Sequence, residues 1–465
     1  MLTSTPHQKH SGYAIPPAAY PFDRMIPVTM SHYPITYSGV INNPDPGVLQ
    51  SYLDRLGPNG LPARGNASIY LHVPFCDQIC TFCRYARTKT PEDSVFLNYA
   101  AALKEEMSRY LEMPHIQNTE FDLIYFGGGT PSVMPLEIMA DLIQWINRNF
   151  TKGKREISFE GEARSIKHME YLSMLKELGT TRISMGVQTF DLELRKVLGR
   201  REGVDDVFEA IENAKKLNLE VNFDLLYWLP YQTLDHIAAD IRMVQQLQPT
   251  DVDWYNMVYD PLLKNDPLSR LVTKKNNVVD DTAGLLRTRQ AMRDGFRDIG
   301  FHQHFVDNFA STEKKDSYHI IRTGCYDGSG QTLGIGVSSL GTIGNFVYSN
   351  PDSTEAYYAA LKEKRHIYKW VYDLTPQRQL ERILFHFSRN MELPKSVFEH
   401  CPPELAEPYL ERLHSLADKG LVESVGDRYL MTDDGRLWYG NICSTLLGNT
   451  GHEKMLKRLY MRILN

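Results

Sequence analysis

Six runs of apolar and β-branched residues, each followed by a helical pattern or the start of one, occupy the first half of the chain and constrain it more than any other feature. In order they are "SIYLHVPF" with a helix over 91–111, "FDLIYFGG" with a helix over 136–150, "EISFEGE" with a helix, "TRISMGVQ" with two helices, "EVNFDLLYWLP" with a helix over 234–247, and "DVDWYNMVY". Strands that alternate with helices in this way build a parallel sheet, either doubly wound or curled toward a barrel. In both architectures the reactive residues belong at the C-terminal ends of the strands, in the loops that enter the helices.

The flanks read differently. Residues 1–65 are rich in Pro, Tyr, Ser and Asn and form an irregular arm with one helix near 48–56. The barrel region is expected over 66–300, and a linker and barrel extension carrying the glycine-rich "LGIGVSSLGTIGN" over 301–374. Residues 375–465 read as a C-terminal winged-helix-like α domain, because "LADKGLVESVGDRYLMTDDGRLWYGNIC" gives a helix, a short two-stranded wing and another helix. No basic recognition helix is evident in it, which favours a structural or lid role. A chain of 465 residues with 42% hydrophobic content can bury a large core beside a smaller one. Its net charge of −6 supplies no global footprint for nucleic acid. No window approaches the roughly 18 apolar residues of a membrane span, so any membrane contact is expected to be peripheral. With no apolar signal-peptide core near the start and six cysteines too clustered for a disulfide framework, the cytoplasm is the expected location.

Three of those cysteines, Cys76, Cys80 and Cys83, form CxxxCxxC directly after the first strand. Spacing of i, i+4 and i+7 would suit packing thiols on one helix face, but Pro74 and the preceding strand put them in a loop. Structural zinc takes four ligands, commonly in pairs, and no other Cys or His pair has finger-like spacing. Three thiolates around a 4Fe-4S cluster leave one iron open to a small molecule's amino and carboxylate groups.

With Phe82 before the last cysteine, this loop resembles that of the radical S-adenosylmethionine (SAM) superfamily. There the open iron chelates SAM, and one electron cleaves the sulfonium to a 5′-deoxyadenosyl radical. The second motif agrees: "YFGGGTPS" at the next strand end is similar to the GGGTP segment that contacts SAM in relatives of oxygen-independent coproporphyrinogen III dehydrogenase, the HemN-like family. Glycines there let backbone approach a ligand closely. The resemblance extends over about 70–443. It implies SAM-binding roles for Tyr70, Phe82, Gly128, Gly129, Thr130, Glu160, Gln188, Arg200, Asp224 and Leu226, and implies cluster ligation by Cys76, Cys80 and Cys83. It also implies a partial (β/α)6 TIM-type barrel, an electron donor such as flavodoxin or ferredoxin, and an aromatic quinone or tetrapyrrole as substrate.

Within that family two departures stand out. Arg84 and Tyr85 occupy the places of a glycine and a fourth cysteine in the dehydrogenase, and the arm reads "TMSHYPITYSGVINN". They turn the expectation toward the class C radical SAM methyltransferases, which bind two SAM molecules and methylate sp2 carbons, with C8 of menaquinone as the expected target. Porphyrinogen oxidation, haem-degrading methyl transfer and a haem chaperone are the alternatives; for the last, His302 and His304 are candidate ligands, although such a pair is more often two strand residues sharing a face. Tyr70 and Cys325, the latter in "RTGCYDGSG", are candidates for the catalytic step. Arg87 and Lys89 could neutralise a reduced cluster or form a solvated turn, and Asp307 and Asn308 could polarise a substrate or cap a loop. Cys401 and Cys443 read as packing residues.

Overall fold

Every one of the six anticipated strands forms, and all lie side by side. The computed structural model describes residues 20–22, 25, 46–55, 67–83, 85, 87–90, 92–152, 156–200, 203–257, 281–314, 330–363, 367–399 and 401–448. The strands in chain order are β1 (Ala67–Val73), β2 (Phe75–Cys76), β3 (Thr88–Lys89), β4 (Phe121–Gly128), β5 (Glu156–Gly161), β6 (Thr180–Gln188), β7 (Glu220–Tyr227) and β8 (Asp251–Asn256). They continue with β9 (His302–Phe305), β10 (Asn308–Ala310), β11 (Gln331–Ile335), β12 (Leu340–Ile343), β13 (Phe346–Ser349) and β14 (Trp370–Asp373). A 12-stranded sheet runs β14-β13-β12-β11-β1-β4-β5-β6-β7-β8-β10-β9. From β11 through β8 neighbouring strands are parallel, while β12 to β14 on one side and β10 and β9 on the other are antiparallel. This is an α/β fold, a partial TIM-type barrel with a helical C-terminal part.

The side chains of the parallel strands divide by face. In-register partners share a face, and one face carries Tyr70, Tyr125, Ser158 and Arg182 in one row and Glu160, Ser184, Asn222 and Asp251 in the next. Gly186, Asp224, Asp253 and Asn308 form a third row. The opposite face carries Ile69, Leu71, Phe126, Phe159, Ile183, Met185, Phe223, Leu225, Val252 and Trp254, all buried in the core with helix residues such as Leu103, Leu142, Leu172 and Ile211. A parallel sheet covered on both sides reads apolar on both faces. Here the described helices pack on the apolar face, and the other face lines a polar lumen. Its rows are cross-linked: Arg182 reaches over β7 to Asp251 at 2.5 Å, and Asn308 donates to Asp251 at 3.0 Å and to Asp253 at 3.1 Å. Asp307 lies beside Arg389 at 3.5 Å.

The glycine-rich stretch after residue 330 is strand, and a buried carboxylate anchors it. Glu106, on the helix Asp93–Leu111, is wholly buried and accepts from Gly336 N (2.8 Å), Asn350 Nδ2 (2.7 Å) and the Tyr357 hydroxyl (2.6 Å). Those residues follow β11 and β13, so one side chain fastens the added strands against the helix that covers β1. Tyr99, two helical turns before Glu106 on the same face, accepts from Val337 N and donates to the His72 carbonyl at 2.7 Å.

The C-terminal part packs the helices Pro376–Asn390, Pro403–Asp418 and Tyr439–Leu447 beside a three-stranded sheet of β15 (Glu392–Pro394), β17 (Arg428–Met431) and β16 (Val422–Val425). It meets the barrel where Arg289 donates to the Tyr227 hydroxyl (3.1 Å) and the Leu437 carbonyl (2.5 Å) and lies over the Tyr439 ring. Tyr20 and Phe22 of the arm rest on Trp438 of this part, and Met25 N donates to Thr282 Oγ1 at 2.9 Å.

Burial pushes Glu106 up to about 7, against three hydrogen bonds and the Arg109 charge that pull it down. A folded value above the unfolded one of 4.5 means its contribution to stability is full below that value and is lost as pH rises through about 7. Glu106→Gln, which carries no charge, should therefore gain on the wild type by roughly 2–3 kcal/mol between about pH 5 and about pH 8. Thermal unfolding of both proteins across that range checks it; a pH-independent difference would contradict it.

Candidate active site

The cysteine loop leaves β1 at Pro74 and is pinned at both ends. β2 pairs with β3 on the loop's far side, Thr88 N donates to the Pro74 carbonyl at 2.6 Å, and Thr90 N donates to the Cys76 carbonyl at 2.9 Å. Asp77 accepts from Thr90 Oγ1 at 2.6 Å and from the largely exposed Arg164 at 2.8 Å. Thr81 N donates to the Leu198 carbonyl, and Cys83 N donates back to Cys80 O at 3.4 Å. The glycine turn after β4 is laced to the same loop, since Gly129 N donates to Val73 O at 2.7 Å and Thr130 N to Phe75 O at 2.8 Å. A Cβ on Gly129 would lie 2.7 Å from the Phe75 carbonyl, 2.9 Å from that of Val73 and 3.0 Å from Cys76 Sγ. Only glycine permits that approach.

The thiols suit a cluster. Cys76 and Cys80 are buried and Cys83 is partly so. Thr130 Oγ1 lies 3.5 Å from Cys76 Sγ, Arg200 Nη1 lies 3.6 Å from Cys80 Sγ, and the Tyr85 backbone N–H donates to Cys83, so each of the three sulfurs has a donor aimed at it, as suits cluster sulfurs. Burial pushes the Cys76 thiol up to about 11 and raises that of Cys83, so without iron these two are thiols. Among the described residues no three His, Cys, Asp or Glu side chains gather round a single ion position. A cubane does not ask them to, because each thiolate takes a different iron.

Beside this loop the lumen brings several expected residues together. Tyr70 stacks on Tyr125 at 6.0 Å and shares a hydrogen bond of 3.0 Å with His72 Nδ1. Glu160 accepts from the Tyr125 hydroxyl at 2.6 Å and from Gly128 N at 3.2 Å, which ties the glycine turn to β5. Gly128 has a φ of 113° and sits against the His72 ring, where a Cβ would come within 2.8 Å. Arg200 donates to the Gly186 carbonyl as well as toward Cys80, joining the end of β6 to the cluster loop. Gln188 ends β6, and Asp224, on β7 in register with Gly186, accepts from Asn222 at 3.0 Å. Leu226 is buried on the same strand, and Phe82 packs partly buried on the core.

Other expectations fall elsewhere. Cys325 lies outside the described residues, as does Arg84. His302 is exposed on edge strand β9, whereas His304 is buried and faces the Glu313 carbonyl at 3.1 Å. Cys443 is buried with its thiol pushed up to about 12, and Cys401 Sγ lies 3.3 Å from the Val397 carbonyl, as packing residues would. His72, Asn222 and Asp253 were not singled out from sequence. Their signal is the strict alternation in "SIYLHV", "EVNFDLLY" and "DVDWYN", which marks a polar face where buried parallel strands would be uniformly apolar.

Residues 70–244 match the family model described as the Radical SAM superfamily. Beyond that segment, the chain is 27% identical over 388 residues to the heme chaperone HemW of Bacillus subtilis, covering 82% of this chain and 99% of that one. It is 27% identical over 396 residues to the oxygen-independent coproporphyrinogen III oxidase of Escherichia coli, covering 81% and 84%. The solved structure of the Escherichia coli coproporphyrinogen III oxidase HemN superposes with a TM-score of 0.74 at 23% identity, over 89% of this chain and 95% of that one.

These similarities correct the expectation of a methyltransferase acting on C8 of menaquinone. The chain-long resemblance runs to porphyrinogen oxidases and a heme chaperone instead. The inference had leaned on the arm, whose stretch 29–43 lies outside the described residues, and on Arg84 and Tyr85; Tyr85 is 68% exposed, so its identity reports on the outer rim of the loop rather than on what the lumen holds. Among the described residues no helix is long and apolar enough to cross a membrane. Residues 70–244 are thus similar to the radical SAM superfamily, and the fold as a whole is similar to that of HemN.

Proposed function

We propose that the protein is a radical SAM oxidoreductase of the coproporphyrinogen III oxidase type, acting on a propionate side chain of a tetrapyrrole. The observation that carries this reading is that the similarity to the Escherichia coli oxidase spans 81% of the chain, well past the 70–244 segment shared across the superfamily. The polar lumen supports it, because a highly charged substrate and cofactor need a lining that hydrogen-bonds rather than one that repels them.

In this reading Cys76, Cys80 and Cys83 hold three irons and leave the fourth for the amino and carboxylate groups of SAM. Cluster and SAM, when bound, would supply one-electron radical chemistry able to remove a hydrogen atom from the substrate. The backbone of Gly128 to Thr130 receives the methionyl part, and Glu160, oriented by Tyr125 and Gly128 N, and Asp224 face its polar groups. Arg200 sets the electrostatics next to Cys80. The substrate loses that hydrogen atom, one electron to an external acceptor, and carbon dioxide. A flavodoxin or ferredoxin supplies the electron that starts each turnover.

The similarity that spans 99% of the heme chaperone HemW favours a second reading, in which the same scaffold binds haem. One experiment separates them. Anaerobically reconstituted protein with reductant, SAM and coproporphyrinogen III should release carbon dioxide and 5′-deoxyadenosine, and Cys80→Ala should abolish both. Stoichiometric haem binding with no carbon dioxide release would overturn oxidation in favour of the chaperone reading.

Gly129→Ala tests the loop itself. Its Cβ must displace backbone carbonyls, an overpacking cost of about 1–3 kcal/mol borne by the cysteine loop. Iron and sulfide content after reconstitution should fall well below wild type; unchanged iron content would show that the approach of the two turns is not needed.

A further inference from the structure

β6 ends in a conformation that a glutamine rarely adopts. Gln188 has a φ of 70°, and Thr189 N donates to the Val187 carbonyl across it at 2.9 Å. An i to i+2 hydrogen bond around a left-handed residue marks a γ-turn of the rare, strained kind. The pairing of β6 with β7 also skips a residue here, from Gly186 to Gln188. Glycine would occupy such a position without strain, so a long polar side chain is retained there for what its amide does.

Strain of this kind persists only when the surroundings over-determine it, and two buried polar side chains do so. Arg195, from the helix Leu192–Val197, is 2% exposed and donates through Nη1 to the carbonyls of Val187 (2.7 Å) and Thr189 (3.1 Å), gripping the chain on both sides of Gln188. Asp240, from the helix Leu234–Leu247, is wholly buried and accepts from Phe190 N (2.8 Å) and from the Thr189 hydroxyl at 3.0 and 3.2 Å. The same hydroxyl accepts from Asp191 N at 3.2 Å, and Asp191 caps Leu194 N at 2.8 Å, which closes the loop onto the helix that carries Arg195. The amide of Gln188 is folded over Gly186, where a Cβ would lie 2.8 Å from its Nε2. Arg200, which holds the Gly186 carbonyl, reaches Cys80 from there.

We propose that Arg195 and Asp240 are positioning residues that lock Gln188 in its left-handed turn, so that its amide faces the lumen beside the cluster loop and fixes the affinity for SAM. The proposal rests on the reading that the lumen binds SAM. Neither residue touches the ligand; both act through Gln188.

The test measures SAM affinity by equilibrium dialysis on the reconstituted, unreduced full chain, so that no turnover is involved, together with thermal unfolding. Gln188→Ala and Asp240→Ala should each weaken SAM binding by about tenfold, and the double variant should bind no worse than the weaker single one, because both remove the same contact. Asp240→Asn, which keeps an acceptor for Phe190 N and is neutral as a carboxyl pushed up to about 7 by burial often is, should stay within roughly threefold of wild type. Gln188→Gly should unfold at a higher temperature than Gln188→Ala, because only glycine relieves the turn. If Asp240→Ala fails to fold, Thr189→Val removes the same hydroxyl link and is expected to weaken SAM in the same direction. Additive losses in the double variant, or wild-type affinity in both Asp240→Ala and Thr189→Val while Gln188→Ala is weakened, overturn the clamp alone. A wild-type chain that binds no SAM overturns the reading of the lumen and the clamp with it.

Discussion

A parallel strand with helices on one side and a polar row on the other must satisfy that row somehow, and the rest of the structure follows from the way this chain does it. Ser158, Arg182, Ser184, Asn222, Asp251, Asp253 and Asn308 are buried polar residues in the middle of a sheet. Such groups cost several kcal/mol each unless they find partners. Deep in the lumen they find one another, as in the Arg182–Asp251 pair and the bonds from Asn222 to Ser184 and Asp224. Across the sheet the same rows run into Tyr70, Tyr125 and Glu160, and one row farther along into Asp224, toward the cysteine loop. The site is therefore the open end of one continuous polar face, and the apolar face behind it, packed under helices, keeps that end rigid.

Around the lumen, buried carboxylates on the helices do the fastening. Glu106 holds the turns after β11 and β13, and Asp240 holds the loop after β6. In each case a helix packed on the apolar face sends one carboxyl side chain past the strand ends to collect a loop backbone N–H together with nearby side-chain donors. The cysteine loop is fastened differently, by backbone bonds to β1 and to the glycine turn, where no side chain fits between them. Flexible loops over a rigid scaffold are the usual home of catalytic residues, and here the loops are themselves tied at several points.

Much of this was legible in the residue order. The strands at 121–128 and 156–161 and the helix Leu234–Leu247 lie where the hydrophobic pattern puts them, because long, periodic segments with Gly and Pro boundaries leave little choice. The cysteine loop and the glycine turn were legible as a pair because their chemistry is local in sequence. What was not legible is what depends on tertiary approach. That "LGIGVSSLGTIGN" would add a parallel strand beside β1 follows from Glu106, whose three partners lie more than 200 residues away. That Gln188 would take a left-handed turn follows from Asp240 and Arg195, which no motif announces. The substrate was misjudged in part because Tyr85 was weighed as though it faced the reaction, whereas side-chain exposure decides whether a residue near a motif can report on its ligand.

The central claim is that the open end of the polar lumen brings SAM onto a cluster held by the cysteine loop. Electron paramagnetic resonance of the reduced, reconstituted chain with and without SAM tests it most directly. The account predicts a 4Fe-4S signal whose g-values shift when SAM is added, because the ligand's amino and carboxylate groups take the open iron. Identical spectra in the two conditions, or no cluster signal at all, would contradict it.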